Sequence, residues 1–116
     1  GGWTGIQVLH HLADSHMNAY IRTKLTLTED APIIKPYLED RWACLPDITA
    51  EAMPLAVNLL ENIHQKWILV LENILPNQWN RDYIHPEYGE RFSLYQMLAL
   101  YAWHCKHHFG HLNLLV

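Results

Sequence analysis

The sequence predicts a compact all-α protein, and three stretches of the chain carry that prediction. Apolar residues recur at helical spacing over about residues 5–25, about residues 50–75, and from about residue 94 to the end. Half of the 116 residues are hydrophobic and 17% are charged, which is typical of well-buried helices. At this length we expect residues 1–116 to form a single domain.

Composition and charge exclude several classes of function. The formal net charge of −4 gives no electrostatic reason to expect a nucleic-acid partner. No apolar run reaches the roughly 18 residues of a membrane span, and no signal peptide is visible. Cys44 and Cys105 follow no disulfide or metal-binding pattern, so free thiols in a reducing cytoplasm are expected.

The first predicted helix carries a polar stripe. Thr4 is a suitable N-cap for it. At about 100° per residue, one side of the helix gathers five polar residues, namely His11, Asp14, Ser15, Asn18 and Arg22. Such a stripe is either a solvent-exposed face or a functional one. The functional alternative is favoured because the stripe lacks Lys/Glu pairs and the apolar arc is wide. His10 and His16 lie elsewhere on the helix, and the pattern excludes neither as a metal ligand.

The middle of the chain is the least regular part. Within residues 26–54 a long helix is excluded by four prolines, Pro32, Pro36, Pro46 and Pro54. A loop of this length inside a compact domain is either functional, for example as a lid, or a cover whose Tyr37 and Trp42 seal the core.

The helix predicted over residues 50–75 is the clearest amphipathic one, and we interpret it as scaffold. Its apolar stripe is made of six residues at spacings of three and four, Leu55, Leu59, Ile63, Trp67, Val70 and Ile74. Pro76 is expected to end it, and His64 beside the stripe is interpreted as structural. Further on, Pro86 and Gly89 predict a turn, and His85 should be extended because a proline follows it.

The last helix carries the strongest indication of chemistry. Ser93 and Gln96 form a predicted capping box at its start. Further along, His104, His108 and His111 fall within about 60° of one another, on the side where the core should lie. An inward pair at i and i+4 consists either of core histidines satisfied by hydrogen bonds or of ligands to a divalent metal. For the pair His104 and His108 the metal is favoured.

Several motifs resemble the YfiT-type branch of the DinB-like superfamily. The resemblance covers nearly the whole chain and rests on Gly2-Trp3-Thr4, His10-His11-Leu12-Ala13-Asp14-Ser15-His16-Met17-Asn18, Tyr20-Ile21-Arg22, Lys35-Pro36-Tyr37, Trp42-Ala43, His64-Gln65-Lys66-Trp67, His85-Pro86-Glu87 and Tyr101-Ala102-Trp103-His104 with His107, His108 and His111. It implies an up-down helical bundle with the four helices of that family. It also implies a metal-dependent hydrolase or, as in some members, a bacillithiol S-transferase. It also implies that His11, His104 and His108 bind the metal.

The resemblance leads to expectations about the chain as a whole. Members of that branch have a helix ahead of the Gly-Gly-Trp segment, and we expect this chain to lack it. A bundle without that helix has an apolar groove that is open or filled by a partner chain, so a homodimer is plausible.

Three histidines leave a divalent ion, zinc or nickel, with open coordination positions, as in catalytic sites. The resemblance favours activation of a small thiol for attack on an electrophile, and the alternative is activation of water for hydrolysis. Asp14 is a candidate hydrogen-bond acceptor or proton relay for a ligating imidazole. Arg22 and Asn18 could hold a carboxylate of the thiol, whereas Arg22 could equally form a structural ion pair.

Two non-catalytic alternatives stay open. If His111 is a fourth ligand, the site is closed and the metal only stabilises the bundle. A carrier of apolar ligands would instead have an enclosed pocket without metal.

Overall fold

The computed structural model describes residues 2–101, a helical fold with one small β-hairpin. The elements in chain order are α1 (Gly5–Thr28), α2 (Glu39–Trp42), α3 (Met53–Glu72), a 3₁₀ turn (Pro76–Gln78), β1 (Asp82–His85), β2 (Glu90–Ser93) and α4, which begins at residue 94 and is described to residue 101. His104, His108 and His111 therefore lie outside the described residues. None of the helices within residues 2–101 has the length and apolarity needed to cross a bilayer.

Local hydrogen bonds set both ends of α1. At its start the amide of Gln7 donates to Thr4 Oγ1 at 3.2 Å, and the amide of Thr4 donates to Gln7 Oε1 at 2.9 Å. This reciprocal capping box confirms the predicted N-cap. The helix continues three residues beyond the predicted end. There Arg81 donates from Nε to the Thr26 carbonyl at 2.8 Å and from Nη2 to the Glu29 carbonyl at 2.9 Å. A cation at this position also complements the helix dipole.

The main helix contact joins α1 to α3 through Trp67. The Trp67 side chain is 6% exposed, and its Nε1 donates to Thr23 Oγ1 at 2.9 Å. Thr23 in turn donates to the Ala19 carbonyl at 2.8 Å, so every polar atom in this contact has a partner. Around it lies the buried core, made of Ala19, Ile34, Trp67, Ile74, Tyr83, Leu94, Met97 and Tyr101.

The apolar stripe of α3 is buried only in its C-terminal half. Trp67 and, beyond the helix, Ile74 are buried, whereas Leu55 is 70% and Leu59 is 39% exposed. The helix ends at Glu72, before Pro76, which instead opens the 3₁₀ turn. The half that contacts α1 thus serves as the scaffold expected from the sequence.

The β-hairpin is an element that the sequence analysis did not include. Strands β1 and β2 are antiparallel, with Asp82 opposite Ser93 and His85 opposite Glu90. The predicted turn between them is confirmed, and Gly89 takes the left-handed conformation there with φ of 62°. His85 is extended, as the following proline requires.

The hairpin connects the middle segment to the last helix. A parallel bridge pairs Ile33 with Ile84, where the Ile84 amide donates to the Pro32 carbonyl at 2.8 Å. At the other end, Ser93 and Gln96 form the predicted capping box, with bonds of 2.9 and 3.1 Å. Residues 32–38 are thereby held beside the polar stripe of α1.

Candidate active site

The polar stripe of α1 faces the interior of the protein. His11 is 4% and Ser15 is 8% exposed, and the other three members, Asp14, Asn18 and Arg22, are half-buried. The stripe is therefore not the solvent-exposed face of the helix. It borders a cavity, because Ser15 and Arg22 both line one.

His11 is the one predicted metal ligand that lies within the described residues. Its imidazole is buried and meets the Trp3 ring edge-on, with centroids 4.8 Å apart. A buried imidazole is the donor type that zinc and nickel bind, so His11 fits the predicted role. Within residues 2–101, no three His, Cys, Asp or Glu side chains come together as a metal site. The set therefore depends on His104 and His108, which lie outside that range.

The neighbouring His10 has a structural contact. It is 6% exposed, and its Nε2 lies 3.0 Å from the carbonyl oxygen of Thr49. Because a carbonyl only accepts, Nε2 carries the proton and donates it. His10 thus joins α1 to the segment ahead of α3. The structure gives two adjacent buried histidines different surroundings.

A tyrosine-rich cavity of about 300 Å³ opens beside the stripe. We call it the tyrosine cavity. It is lined by Ser15, Arg22, Tyr37, Glu39, Tyr83, His85, Tyr88, Phe92, Leu100 and Tyr101. These residues come from α1, the middle segment, the hairpin and α4, so the site is assembled by the tertiary fold.

Arg22 occupies the wall of this cavity without an ion pair to any described carboxylate. Its Nη1 donates to Tyr101 Oη at 3.2 Å and its Nη2 to the Lys35 carbonyl at 3.2 Å. The ion pairs among residues 2–101 involve other arginines. The structural ion pair considered for Arg22 is thus not found in the described part of the chain. Its positive charge is available to an anionic ligand.

Burial keeps three tyrosines of the cavity, Tyr37, Tyr83 and Tyr101, protonated. It raises the pKa of Tyr83 to about 12, and burial together with the nearby Glu39 carboxylate raises the pKa of Tyr37. Burial also raises the pKa of Tyr101, against the opposing effect of Arg22. The Tyr37 hydroxyl is buried without a hydrogen-bond partner among the described residues. Tyr37 can therefore donate a hydrogen bond to a ligand in the cavity.

His85 supplies a neutral imidazole to the same cavity. Burial, aided by the Arg22 charge, lowers its pKa, while Glu87 opposes the shift. The amide of Glu87 donates to His85 Nδ1 at 3.3 Å. The ring proton of the neutral form is therefore on Nε2. The ring lies 4.6 Å from that of Tyr88, centroid to centroid.

Asp14 and Asn18, the two remaining residues of the predicted site, differ in the chemistry that they can contribute. Burial and the nearby Asp47 raise the pKa of Asp14, while His10 opposes them. An easily protonated carboxyl of this kind suits proton transfer. Asn18 donates from Nδ2 to the Asp14 carbonyl at 2.8 Å, so one of its amide donors already has a partner on its own helix.

A second pair of histidines joins α1 to α3. His16 is 3% exposed, and His16 Nδ1 is in hydrogen-bond contact with Nε2 of His64. Both rings also lie beside the Trp67 ring, at centroid distances of 5.9 and 6.5 Å. His64 therefore joins α3 to α1, in keeping with the structural role predicted for it.

This pair predicts a pH dependence of stability. Burial lowers the pKa of His64 in the folded state, so protonation favours the unfolded state. The full contribution is present above the unfolded pKa of about 6.5 and is lost as the pH falls through the folded value. We expect the urea concentration at the unfolding midpoint of the metal-free protein to decrease when the pH is lowered from 7 to 5. The decrease should be smaller in His64→Gln, whose side chain does not titrate. An equal decrease in the wild type and in the variant would contradict the role of His64.

Comparison with known proteins finds a matching family and several similar proteins. The model of the DinB superfamily matches residues 1–112. The chain belongs to the DinB superfamily. One member in Oceanobacillus iheyensis, named "Putative metal-dependent hydrolase OB0782", is 47% identical over 115 residues, 99% of this chain and 66% of the relative. The YfiT protein of Bacillus subtilis, named for the same activity, is 44% identical over 113 residues, 97% of this chain and 64% of the relative.

A solved structure agrees with the fold. The structure of YfiT from Bacillus subtilis, described as a probable metal-dependent hydrolase with an unusual four-helix bundle topology, matches with a TM-score of 0.95 at 44% identity. The match covers 99% of this chain and 66% of that one. Hence the predicted family and helical-bundle fold are confirmed. The chain spans about two thirds of the length of these DinB relatives.

Most of the cavity wall was not predicted from the sequence. Tyr83 and Tyr88 were not singled out, and no ligand contact was predicted for Tyr37. The available signals were weak. Tyr101 precedes His104 by three residues, and His85 lies in a motif of the resemblance.

Proposed function

We propose that this DinB chain is the metal-binding part of an enzyme in which His11, His104 and His108 hold a divalent ion, zinc or nickel. The observation that carries the proposal is the inward-facing stripe of α1, which places buried His11 on the same face as Arg22 in the cavity wall. When bound, the ion supplies Lewis acidity that lowers the pKa of a nucleophile. The relatives named for metal-dependent hydrolysis support a metal-dependent role.

The chain's own residues bind and orient the substrates. The Arg22 guanidinium holds a carboxylate, because it already lies in the wall with no acidic partner in the described part of the chain. The Tyr37 hydroxyl donates a hydrogen bond to a developing negative charge on the electrophile. Asp14 and neutral His85 are available to accept or return a proton.

The nucleophile that we propose is a small thiol, as in bacillithiol S-transfer. The unpaired charge of Arg22 supports it, since a thiol cosubstrate with a carboxylate would be held there by its charged group. Water is the second candidate, favoured by the hydrolase names of the relatives. In either reaction, His11 would be a ligand and Arg22 would not.

A product assay separates the alternatives. Metal-loaded protein is given 3-mercaptopropionate with 1-chloro-2,4-dinitrobenzene, where a C–S bond forms and chloride leaves. In parallel it is given p-nitrophenyl acetate, where water cleaves the ester. Thioether formation that is lost in His11→Ala supports S-transfer, and ester cleavage alone, lost in the same variant, supports hydrolysis. Neither reaction with metal bound would leave a non-catalytic metal-binding bundle.

Arg22→Met tests the proposed carboxylate contact. A charge-assisted hydrogen bond contributes about 1.5–3 kcal/mol, so we expect KM for 3-mercaptopropionate to rise by roughly 10–150-fold. KM for 2-mercaptoethanol, which has no carboxylate, should change by less than about twofold. Lys24→Met is the matched control, because Lys24 lies over the Tyr20 ring and not in the tyrosine cavity. An equal loss with both thiols would contradict the contact.

A further inference from the structure

A second and larger concavity lies next to the tyrosine cavity. This outer cleft, about 800 Å³, runs between α1 and the segment 35–45. Arg22 and Tyr37 line both spaces, so the outer cleft meets the tyrosine cavity at those two side chains. The function proposed above assigns no role to the outer part.

The lining of the outer cleft combines exposed apolar surface with positive charge. Ile21 is 48%, Leu38 is 62% and Leu45 is 51% exposed. Apolar side chains left in water around a concavity are typical of a ligand site. All three line the outer cleft, Ile21 from α1 and the other two from the segment 35–45.

The charges around the outer cleft are unbalanced. Arg22, Lys35 and Arg41 line it together with a single carboxylate, Glu87. None of these four takes part in the ion pairs found among residues 2–101. An anion bound there would be attracted by cations that form no ion pair with a described carboxylate.

We propose that the outer cleft binds a small molecule with an apolar body and an anionic group, and that this molecule is the electrophilic substrate of the tyrosine cavity. The identification as substrate rests on the proposed function, while the binding chemistry rests on the cleft alone. The apolar body lies against Ile21, Leu38 and Leu45, and the anionic group lies near Arg41 and Lys35. Arg22, at the junction, remains available to the thiol.

The test measures binding by calorimetry with two probes of equal chain length. Octanoate has the required apolar body and carboxylate, whereas 1-octanol has the body alone. We expect octanoate to bind with Kd below about 1 mM and at least tenfold more tightly than 1-octanol. Equal affinities, or no octanoate binding, would overturn the proposal.

Charge variants locate the site. Arg41→Glu should weaken octanoate binding at least tenfold, because an attraction becomes a repulsion. Leu45→Asn should weaken both probes, since it removes apolar contact without altering charge. Arg91→Glu is the matched control, because Arg91 is an exposed strand residue outside the cleft and should change the affinity less than twofold. Equal effects of Arg41→Glu and Arg91→Glu would show that octanoate binds elsewhere.

One further variant separates this proposal from the proposed function. His11→Ala should keep octanoate binding within twofold of wild type, because His11 does not line the outer cleft. If octanoate binds but the protein holds no metal, the proposed function is refuted and the proposed ligand site in the outer cleft is supported. If metal-dependent turnover is found but octanoate does not bind, only the proposed ligand site in the outer cleft is refuted.

Discussion

We expect His11→Ala to abolish metal binding and to lower kcat/KM by at least about 10³-fold, because two imidazoles do not hold the ion in a productive geometry. His11 is 4% exposed and belongs to the polar stripe of α1, of which Ser15 and Arg22 line the tyrosine cavity. The metal content of the purified variant, measured by elemental analysis, should fall from about one ion per chain to near zero. Turnover with 3-mercaptopropionate should fall in parallel.

The adjacent histidine provides the matched control. His10 is equally buried, but its Nε2 donates to the Thr49 carbonyl and has a structural role. His10→Gln keeps an N–H donor at a similar position, so the Thr49 carbonyl need not lose its partner. We expect full metal content and activity in His10→Gln. Loss of metal in His10→Gln with retention in His11→Ala would reverse the assignment.

Trp67→Ala lowers the free energy of unfolding by about 3–5 kcal/mol, the largest stability effect that we expect in the described part of the chain. The substitution removes a buried ring from the contact of α1 with α3 and deprives the Thr23 hydroxyl of the hydrogen bond that Trp67 donates to it. The ring also packs edge-on against Tyr101, with centroids 6.0 Å apart. Loss of the ring therefore also removes a packing contact of Tyr101, which lines the tyrosine cavity.

Two further variants separate packing from hydrogen bonding at this position. Trp67→Phe keeps an aromatic ring but loses the bond to Thr23, so we expect a cost of about 1–3 kcal/mol. Ile68→Ala is the control, because Ile68 is 48% exposed on the same helix. It should change stability by about 0.5 kcal/mol. Urea unfolding followed by far-ultraviolet circular dichroism measures all three, and equal costs for Trp67→Ala and Ile68→Ala would contradict the packing account.

The parts of the fold that depend on local sequence were predictable. Thr4 with Gln7 and Ser93 with Gln96 form capping boxes whose partners are three residues apart. Helical periodicity likewise identified α1 and α3 to within a few residues of their ends. Near-neighbour interactions of this kind are visible in the chain without tertiary information.

The parts that depend on long-range contacts were not predictable. The hairpin strands are four residues long, too short for alternation to indicate them, and one is held partly by the bridge of Ile84 with Ile33. The contact of Arg22 with Tyr101 joins residues 79 positions apart, so no spacing rule indicates it. For the site, periodicity gave the stripe of α1, whereas the cavity beside it required the fold.

The most direct test of the account is the metal content of the purified protein beside that of His104→Ala and His108→Ala. We predict about one zinc or nickel ion per chain in the wild type, bound by His11, His104 and His108, and its loss in both variants. Circular dichroism of both variants is the control that they remain helical. The account would be contradicted by a wild-type protein that binds no metal after reconstitution, or by variants that retain the ion.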